Sequence, residues 1–330
     1  MGDHVALREV GLRDGLQLVA AVLPVEKKLA WYVAETAAGV RDFEVTSFVP
    51  PAAVPQFVDA DEVGRRALAV PGPVCSALVV NLRGAERAFD AGFTRLNYVV
   101  SASEAHSRAN ARRTTDEAIA EYARLRAARD ARPNRDDITL SVGIATAFGC
   151  TLQGNVAPAR VAEVAAAIAA VGVEEIMLAD TVGYGDPAAV AALVPMVAAA
   201  VGGVPLAAHF HDTRGLGLAN LCAALEAGIR RFDASLGGLG GCPFAPGATG
   251  NIAMEDTVFL LDRLGCPTGI DLAALLELRA IVESWLPDER FGGALARAGL
   301  PRTHPVRSDA PAAAPDPTRD RTDPIGGGRS

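Results

Sequence analysis

Short apolar segments of strand character alternate with alanine-rich segments of helical character along most of this 330-residue chain. Eight such apolar segments each precede a predicted helix: residues 5–10, 42–48, 74–81, 94–103, 137–146, 173–180, 204–212 and 229–236. Strand–helix alternation indicates a parallel sheet, because parallel strands need long crossover connections. Eight units in about 260 residues favour a closed (β/α)8 TIM barrel over the alternative, an open doubly wound sheet.

The sequence after the eighth unit predicts additions to the barrel and no second folded domain. Residues 271–300 have the pattern of one or two extra C-terminal helices, so the catalytic barrel is predicted to span residues 1–300. Residues 307–330 are rich in Pro, Ala and Asp, and they contain no aromatic side chain and no periodic apolar pattern. We therefore predict that they form a disordered tail.

The overall composition excludes several classes of protein. A formal net charge of −8 argues against a general nucleic-acid binder, which needs a basic face. There is no apolar run of about 18 residues, so we expect no membrane span. The first residues are charged and do not resemble a signal peptide. The five cysteines are widely scattered without a CxxC pair, which predicts reduced thiols in a cytoplasmic protein.

Two polar motifs follow predicted strands at the end where barrel active sites lie. Arg13 and Asp14 come after the first strand and before Gly15; taken alone, they would also fit a surface turn with an incidental ion pair. His209 and His211 end the seventh strand. Residues two apart on a strand point to one face, about 6.6 Å from each other. The two imidazoles could bind a metal ion or form a satisfied buried pair.

A glycine-rich segment at residues 237–251 follows the eighth strand and carries Cys242. A structural cysteine needs a packed apolar site, which a segment with so few side chains does not offer. The alternative is a small loop residue without a chemical role. The segment ends with an amide side chain that can complete a mixed nitrogen and oxygen ligand set: Asp14, His209, His211 and Asn251. Such a set suits Mg²⁺ or Mn²⁺; zinc is the alternative, although no thiolate joins the set.

Four segments together resemble the hydroxymethylglutaryl-CoA lyase family of the DRE-TIM metallolyases. They are GLRDGLQ (11–17), EVTSFV (44–49), HFHDTRGLGLAN (209–220) and the glycine-rich segment, and the similarity covers residues 4–285 in the same order. The first and third motifs are shared with enzymes that form carbon–carbon bonds, such as isopropylmalate and homocitrate synthases. The GGCP element is more specific to the lyases. The resemblance implies a pyruvate carboxyltransferase-like barrel.

The matched positions imply a role for each candidate residue. The metal ligands would be Asp14, His209, His211 and Asn251. Arg13 and Glu44 would contact the substrate, Asp180 would be a further active-site acid, and Cys242 would be a catalytic thiol on a loop that closes over the substrate. Asp180 could instead be a cap at the end of its strand.

The resemblance implies retro-Claisen cleavage of 3-hydroxy-3-methylglutaryl-CoA to acetyl-CoA and acetoacetate, with Mg²⁺ or Mn²⁺ as cofactor. Asp14 or His209 would accept the hydroxyl proton, and Cys242 would protonate the departing enolate. An acyl-CoA partner and a homodimer are implied as well.

The sequence departs from the family pattern at a few positions. The first motif has Leu12 where the family often has proline, and Pro50 replaces a common serine. These departures leave room for a related 3-hydroxy-acyl-CoA as substrate. The motifs are also compatible with a Claisen-condensing synthase and with a metal-binding barrel that has no turnover.

Overall fold

The computed structural model describes residues 4–241 and 250–303, and the strands in this part of the chain form a closed parallel barrel. The strands are β1 (Ala6–Glu9), β2 (Asp42–Ser47), β3 (Val74–Val79), β4 (Arg95–Ser101), β5 (Thr139–Ala145), β6 (Glu175–Asp180), β7 (Leu206–Phe210) and β8 (Arg231–Ala234). Each strand pairs with its neighbour in sequence, and β1 also pairs with β8. This closure confirms the predicted (β/α)8 barrel and excludes the open doubly wound sheet.

Helices follow the strands throughout the described part of the chain. They are α1 (Val25–Ala37), α2 (Ala60–Leu68), α3 (Leu82–Asp90), α4 (Glu104–Ala111), α5 (Thr115–Asp130), α6 (Pro158–Val171), α7 (Pro187–Ala200), α8 (Gly217–Glu226), α9 (Met254–Arg263), α10 (Leu272–Trp285) and α11 (Leu295–Ala298). The last two are the extra C-terminal helices expected from the sequence. Two helices, α4 and α5, lie between β4 and β5. A capping box begins α5, where the Thr114 side chain and Glu117 satisfy each other's backbone N–H groups.

The register of the strands places charged residues in one row inside the barrel. Arg8 of β1 is directly opposite Asp233 of β8, and Asp233 is directly opposite His209 of β7. Arg8 donates two hydrogen bonds to the Asp233 carboxylate, at 2.9 and 3.0 Å, and both side chains are buried. Barrel interiors are usually filled by layers of branched apolar side chains. Removing one partner of such a buried pair typically costs about 3–5 kcal/mol, so this row fixes the register where β1 meets β8.

The structure bears on two further expectations, the limits of the folded domain and the absence of a membrane-spanning helix. Residues up to Gly299 form one compact unit. The predicted tail at residues 307–330 lies outside the described residues, so the domain limits stay a prediction. Among residues 4–241 and 250–303, none of the helices has the length and apolar character needed to cross a bilayer.

A glycine ends helix α1 and also permits close packing against a distant loop. Gly39 has a φ of +104°, and a Cβ added there would lie 2.7 Å from the carbonyl oxygen of Gly269. Gly228 ends α8 with a similar φ of +101°, but its Cβ would meet nothing within 4 Å. We expect Gly228→Ala to cost about 1–3 kcal/mol from backbone strain alone. Gly39→Ala should cost about 1–3 kcal/mol more, because the loop must also move. Urea unfolding of both variants measures the difference, and equal losses would contradict the packing role of Gly39.

Candidate active site

Arg13 and Asp14 lie on a tight helical turn, Gly11–Gly15, that leaves the carboxyl end of β1. The backbone N–H groups of Arg13, Asp14 and Gly15 all point to the carbonyl oxygen of Val10, at 2.6–3.1 Å. A side chain at Gly11 would clash with Glu9 and Trp31, at 2.6 and 2.7 Å. The glycine is therefore required for the turn to pack this closely, and the turn carries both polar side chains over the barrel.

The two histidines of the seventh strand converge with Asp14 at this rim. The ring centroids of His209 and His211 are 5.0 Å apart, and His211 Nε2 lies 3.6 Å from Asp14 Oδ2. One possible ligand atom from each of the three residues lies within 4.8 Å of the other two. Among the described residues, this is the group of His, Cys, Asp and Glu side chains with the spacing of a metal site. The arrangement is that expected from the spacing of the histidines in the sequence.

Asn251 joins the same cluster from the far end of the glycine-rich segment. Its backbone pairs with that of His211 as an isolated bridge. Its side-chain Nδ2 donates to Asp14 Oδ2 at 2.7 Å and to the carbonyl oxygen of Leu239 at 3.1 Å. Gly240 packs here as well, since an added Cβ would lie 2.6 Å from Asn251 Nδ2. All four predicted ligand residues are thus adjacent in space, although Asn251 contacts Asp14 through nitrogen and not through oxygen.

Asp233 orients His209 from below. Its Oδ2 lies 3.0 Å from His209 Nδ1, so the other ring nitrogen is left for the cluster. Burial acts to raise the pKa of Asp233, but the charge of Arg8 and the hydrogen bond with His209 lower the pKa to about 2. Burial also lowers the pKa of His209, but the hydrogen bond with Asp233 and the charge of Asp14 outweigh it and raise the pKa overall. Asp233 therefore stays ionised and fixes the imidazole.

Arg13 is held between two carboxylates. Its Nη1 donates to Asp14 Oδ1 at 2.6 Å, and its Nε donates to Glu44 Oε2. Burial acts to raise the pKa of Asp14, yet the charge of Arg13 and a hydrogen bond with His211 bring the pKa well below its usual range. The second oxygen of Glu44 accepts from Asn97 Nδ2, so Glu44 is fixed from within the barrel. These contacts place Arg13 beside the cluster and fix the orientation of its planar guanidinium group.

Asp180 occupies the position predicted for it but makes the contacts of a strand-end cap. Its two carboxylate oxygens accept the backbone N–H groups of Tyr184 and Gly185, at 2.8 and 3.0 Å. Burial raises the pKa of Asp180, although both backbone donors act against that shift. The bonds fix the turn that follows β6.

Cys242 lies outside the described residues, and Gly240, two positions earlier, lies over the cluster.

Three residues of this site were not identified in the sequence. Arg8 and Asp233 support His209, and Asn97 supports Glu44. A charge in a buried strand is costly unless it is paired, so the segments VALREV and IRRFDASL carry a signal that these residues have partners. The sequence cannot say which partners, because strand register decides which side chains meet.

The donor set fits a divalent cation. Two imidazoles and a carboxylate supply the nitrogen and oxygen ligands that Mn²⁺ and Mg²⁺ accept. Asn251 Oδ1 and His211 Nδ1 are buried without a hydrogen-bond partner in the segments the structure describes. Unpaired buried polar atoms are costly, which supports a further ligand at this place. A parallel eight-stranded barrel with this cluster over its strand ends is a TIM barrel with a possible metal site.

Comparison with known proteins shows similarity to one family of TIM-barrel lyases. The profile of the HMGL-like family matches residues 4–282. The (R)-citramalyl-CoA lyase of Chloroflexus aurantiacus is 43% identical, over 83% of this chain and 88% of that protein. The hydroxymethylglutaryl-CoA lyase of Pseudomonas mevalonii is 40% identical, over 86% of this chain and 92% of that protein. The HMG-CoA lyase structure from Acinetobacter baumannii, solved with coenzyme A and 3-methylmalate, has a TM-score of 0.85 and 38% identity, covering 92% of this chain and 98% of that one.

The chain belongs to the hydroxymethylglutaryl-CoA lyase family of the DRE-TIM superfamily. It is therefore a carbon–carbon lyase, and the family is divalent-metal-dependent.

The support of His209 by Asp233 can be tested through metal affinity. We expect Asp233→Asn to weaken Mn²⁺ binding by about 10–100-fold, since partners that orient histidine ligands typically have this effect. Asp42→Asn is the matched control, because Asp42 is a partly buried acid in β2 whose carboxylate lies 3.5 Å from Arg231. Isothermal titration with Mn²⁺ compares the two variants. Equal affinities would show that Asp233 does not orient the ligand.

Proposed function

We propose that the protein is a divalent-metal-dependent lyase that cleaves a 3-hydroxy-3-methyl acyl-CoA by a retro-Claisen reaction. The first candidate substrate is 3-hydroxy-3-methylglutaryl-CoA, which would give acetyl-CoA and acetoacetate. The observation that supports this proposal is the cluster of Asp14, His209 and His211 at the carboxyl ends of the strands, with Arg13 beside it. A tertiary alcohol, a carboxylate and a departing enolate all need positive charge in one place.

The residues proposed to hold the metal ion are Asp14, His209, His211 and Asn251. A divalent cation such as Mg²⁺ or Mn²⁺ held there would supply Lewis acidity toward the substrate. Asp14 contributes a carboxylate that Arg13 keeps ionised, and Asp233 keeps the His209 ring turned toward the site. Because these groups are already fixed, little reorganisation is needed when the substrate binds.

Arg13 would hold a substrate oxygen where negative charge develops. Its charge is permanent, and its planar group is fixed on one edge by Glu44 and on another by Asp14. Its side chain is 12% exposed, so it borders the open rim of the barrel. The proton of the substrate hydroxyl would pass to Asp14 or His209, which both belong to the cluster.

The enolate that departs must gain one proton to become acetyl-CoA. We assign this proton to the Cys242 thiol, because an ordinary cysteine thiol, with a pKa of about 8.5, is largely protonated at neutral pH. The support comes from the chain just before it: Gly240 lies against Asn251 and within about 3.4 Å of Asp14 Oδ2, measured from its added Cβ. The segment that leads to Cys242 therefore starts over the proposed metal site.

A second candidate substrate is citramalyl-CoA. It is favoured by the 43% identity to the (R)-citramalyl-CoA lyase of Chloroflexus aurantiacus, compared with 40% to the lyase of Pseudomonas mevalonii. The same bond cleavage would then give acetyl-CoA and pyruvate. The two substrates differ by one methylene between the carbinol carbon and the free carboxylate. Such a difference changes discrimination by about 1–3 kcal/mol in a typical pocket.

Product analysis separates the two substrates and tests the metal dependence. Purified protein stripped with EDTA should be inactive, and Mg²⁺ or Mn²⁺ should restore cleavage, because the cation would supply the Lewis acidity that the cluster residues lack by themselves. Acetoacetate is measured from hydroxymethylglutaryl-CoA and pyruvate from citramalyl-CoA. The better substrate has the higher kcat/KM. Failure to cleave either thioester with either metal would refute the proposed function.

The role of Cys242 is tested by a conservative replacement. We expect Cys242→Ser to lower kcat by about a hundredfold to ten-thousandfold, since a serine hydroxyl is a much weaker acid. Mn²⁺ affinity should be unchanged. Cys266→Ser is the control, because Cys266 is a free, partly exposed cysteine after α9. A Cys242→Ser enzyme with normal turnover would remove the thiol from the mechanism.

The expected homodimer stays a prediction that light scattering can test.

A further inference from the structure

Three carboxyl groups lie buried below the turns that carry the site. They come from three different elements: Glu9 from β1, Glu35 from α1 and Glu255 from α9, and none of them is exposed. The proposed mechanism uses none of them. The charged group that faces this cluster from α10 is Arg279, which donates to Glu255 Oε1 at 3.0 Å. Arg279 thereby pairs with Glu255, but the charge of Glu255 still acts to raise the pKa values of Glu9 and Glu35, which lie beside each other.

Glu9 connects two segments that are far apart in the sequence. Its Oε1 accepts the backbone N–H of Gly11 at 2.5 Å and that of Leu236 at 3.2 Å. Gly11 begins the turn that carries Arg13 and Asp14. Leu236 begins the segment that reaches Leu239, whose carbonyl oxygen accepts from Asn251. One carboxylate oxygen thus anchors both sides of the proposed metal site.

Glu255 strengthens the second of these anchors. Its Oε2 accepts the backbone N–H of Gly237 at 2.9 Å, next to the Leu236 contact. The carbonyl oxygen of Gly237 in turn accepts the N–H of Gly292 at 2.6 Å. The Leu236 side is therefore held by several contacts. In the described residues, the carboxylate contact that holds the first N–H of the Gly11 turn comes from Glu9.

Glu9 and Glu35 form a pair of carboxyl groups. Among the described residues, no N–H group donates to Oε2 of Glu9 or to either carboxylate oxygen of Glu35, although all three atoms are buried. Burial raises the pKa of Glu9 to about 7, although the hydrogen bonds from Glu35, Gly11 and Leu236 act in the opposite direction. Burial and the negative charge of Glu9 raise the pKa of Glu35 well above its usual range. Two neighbouring carboxyl groups without a cation cannot both ionise easily, so the pair is expected to keep one proton.

We propose that Glu9 is a positioning residue for the lyase site and that Glu35 keeps it in place by sharing a proton with it. This inference rests on the proposed function for its biological meaning, but it concerns the geometry of the metal site alone. While the proton is present, Glu9 holds the Gly11 and Leu236 turns together. When the proton is lost, repulsion between Glu9 and Glu35 pushes Glu9 away from the two N–H donors.

The raised pKa of Glu35 determines how the stability of this contact depends on pH. The pKa of Glu35 is higher in the folded protein than in the unfolded chain, where it is about 4.3. Its protonated form is therefore favoured by folding. The stability from this proton is complete at acidic pH and is lost as the pH rises through the folded pKa. Glutamine at position 35 keeps an N–H donor at every pH, so the loss should vanish in Glu35→Gln.

The test compares Mn²⁺ affinity of wild type and Glu35→Gln at about pH 6 and about pH 9. The ratio of the two affinities cancels the pH dependence of the metal ligands themselves. We expect equal affinities at the lower pH and, at the higher pH, an affinity for Glu35→Gln greater by on the order of tenfold, equivalent to one pKa unit. A ratio that does not change with pH would overturn the proposal.

Two further variants separate positioning from simple structural support. Glu175→Gln is the matched control, because Glu175 is a partly buried acid with a raised pKa in β6, near Arg231. This variant should leave the affinity ratio unchanged with pH. Glu9→Gln retains a carbonyl oxygen for Gly11 and should keep most of the Mn²⁺ affinity, whereas Glu9→Ala should lose it. If Glu9→Ala does not fold, the Glu35→Gln ratio still decides. Because the readout is binding, it stays informative even if neither thioester is cleaved.

Discussion

The pairing of β1 with β8 is the contact on which the site depends. Asp14 follows the first strand and Asn251 follows the last, so 237 positions separate two side chains that lie 2.7 Å apart. Closure of the barrel brings their strands side by side, with Ala6 opposite Arg231 and Glu9 opposite Ala234. The hydrogen bonds of this ladder are therefore also the bonds that bring the residues of the candidate metal site together.

Charge balance inside the barrel explains how polar groups can replace part of the usual apolar filling. Arg8 neutralises Asp233, which orients His209, and Arg13 is shared by Asp14 and Glu44. Each charge has a partner from a neighbouring strand or turn, which offsets the cost of its burial. The same bonds restrict the side chains of the site to one arrangement. The ion pairs that offset the cost of burial therefore also hold the site residues in position for the proposed reaction.

The alternation of strands and helices was sufficient to predict the barrel, because eight repeats at this spacing leave few other topologies. The histidine spacing and the RDG turn were sufficient for three of the cluster residues, since strand periodicity fixes which side chains share a face. Asp180 was predicted as an active-site acid or a cap, and its contacts are those of a cap. Asp233, Asn97 and the Glu9–Glu35 pair were missed, since their meaning lies in partners from other strands and helices.

The sequence by itself determined the class of fold, the family and the chemical types available at the rim, because periodicity and motif spacing are local properties of the chain. The tertiary structure alone decided which carboxylates are ionised, that Asp233 orients His209, and that one Glu9 oxygen accepts hydrogen bonds from two separate turns. These properties depend on distances between segments such as Glu9 and Leu236, which are far apart in sequence. Such distances are set by barrel closure and strand register, and both arise only when all eight strands pack together.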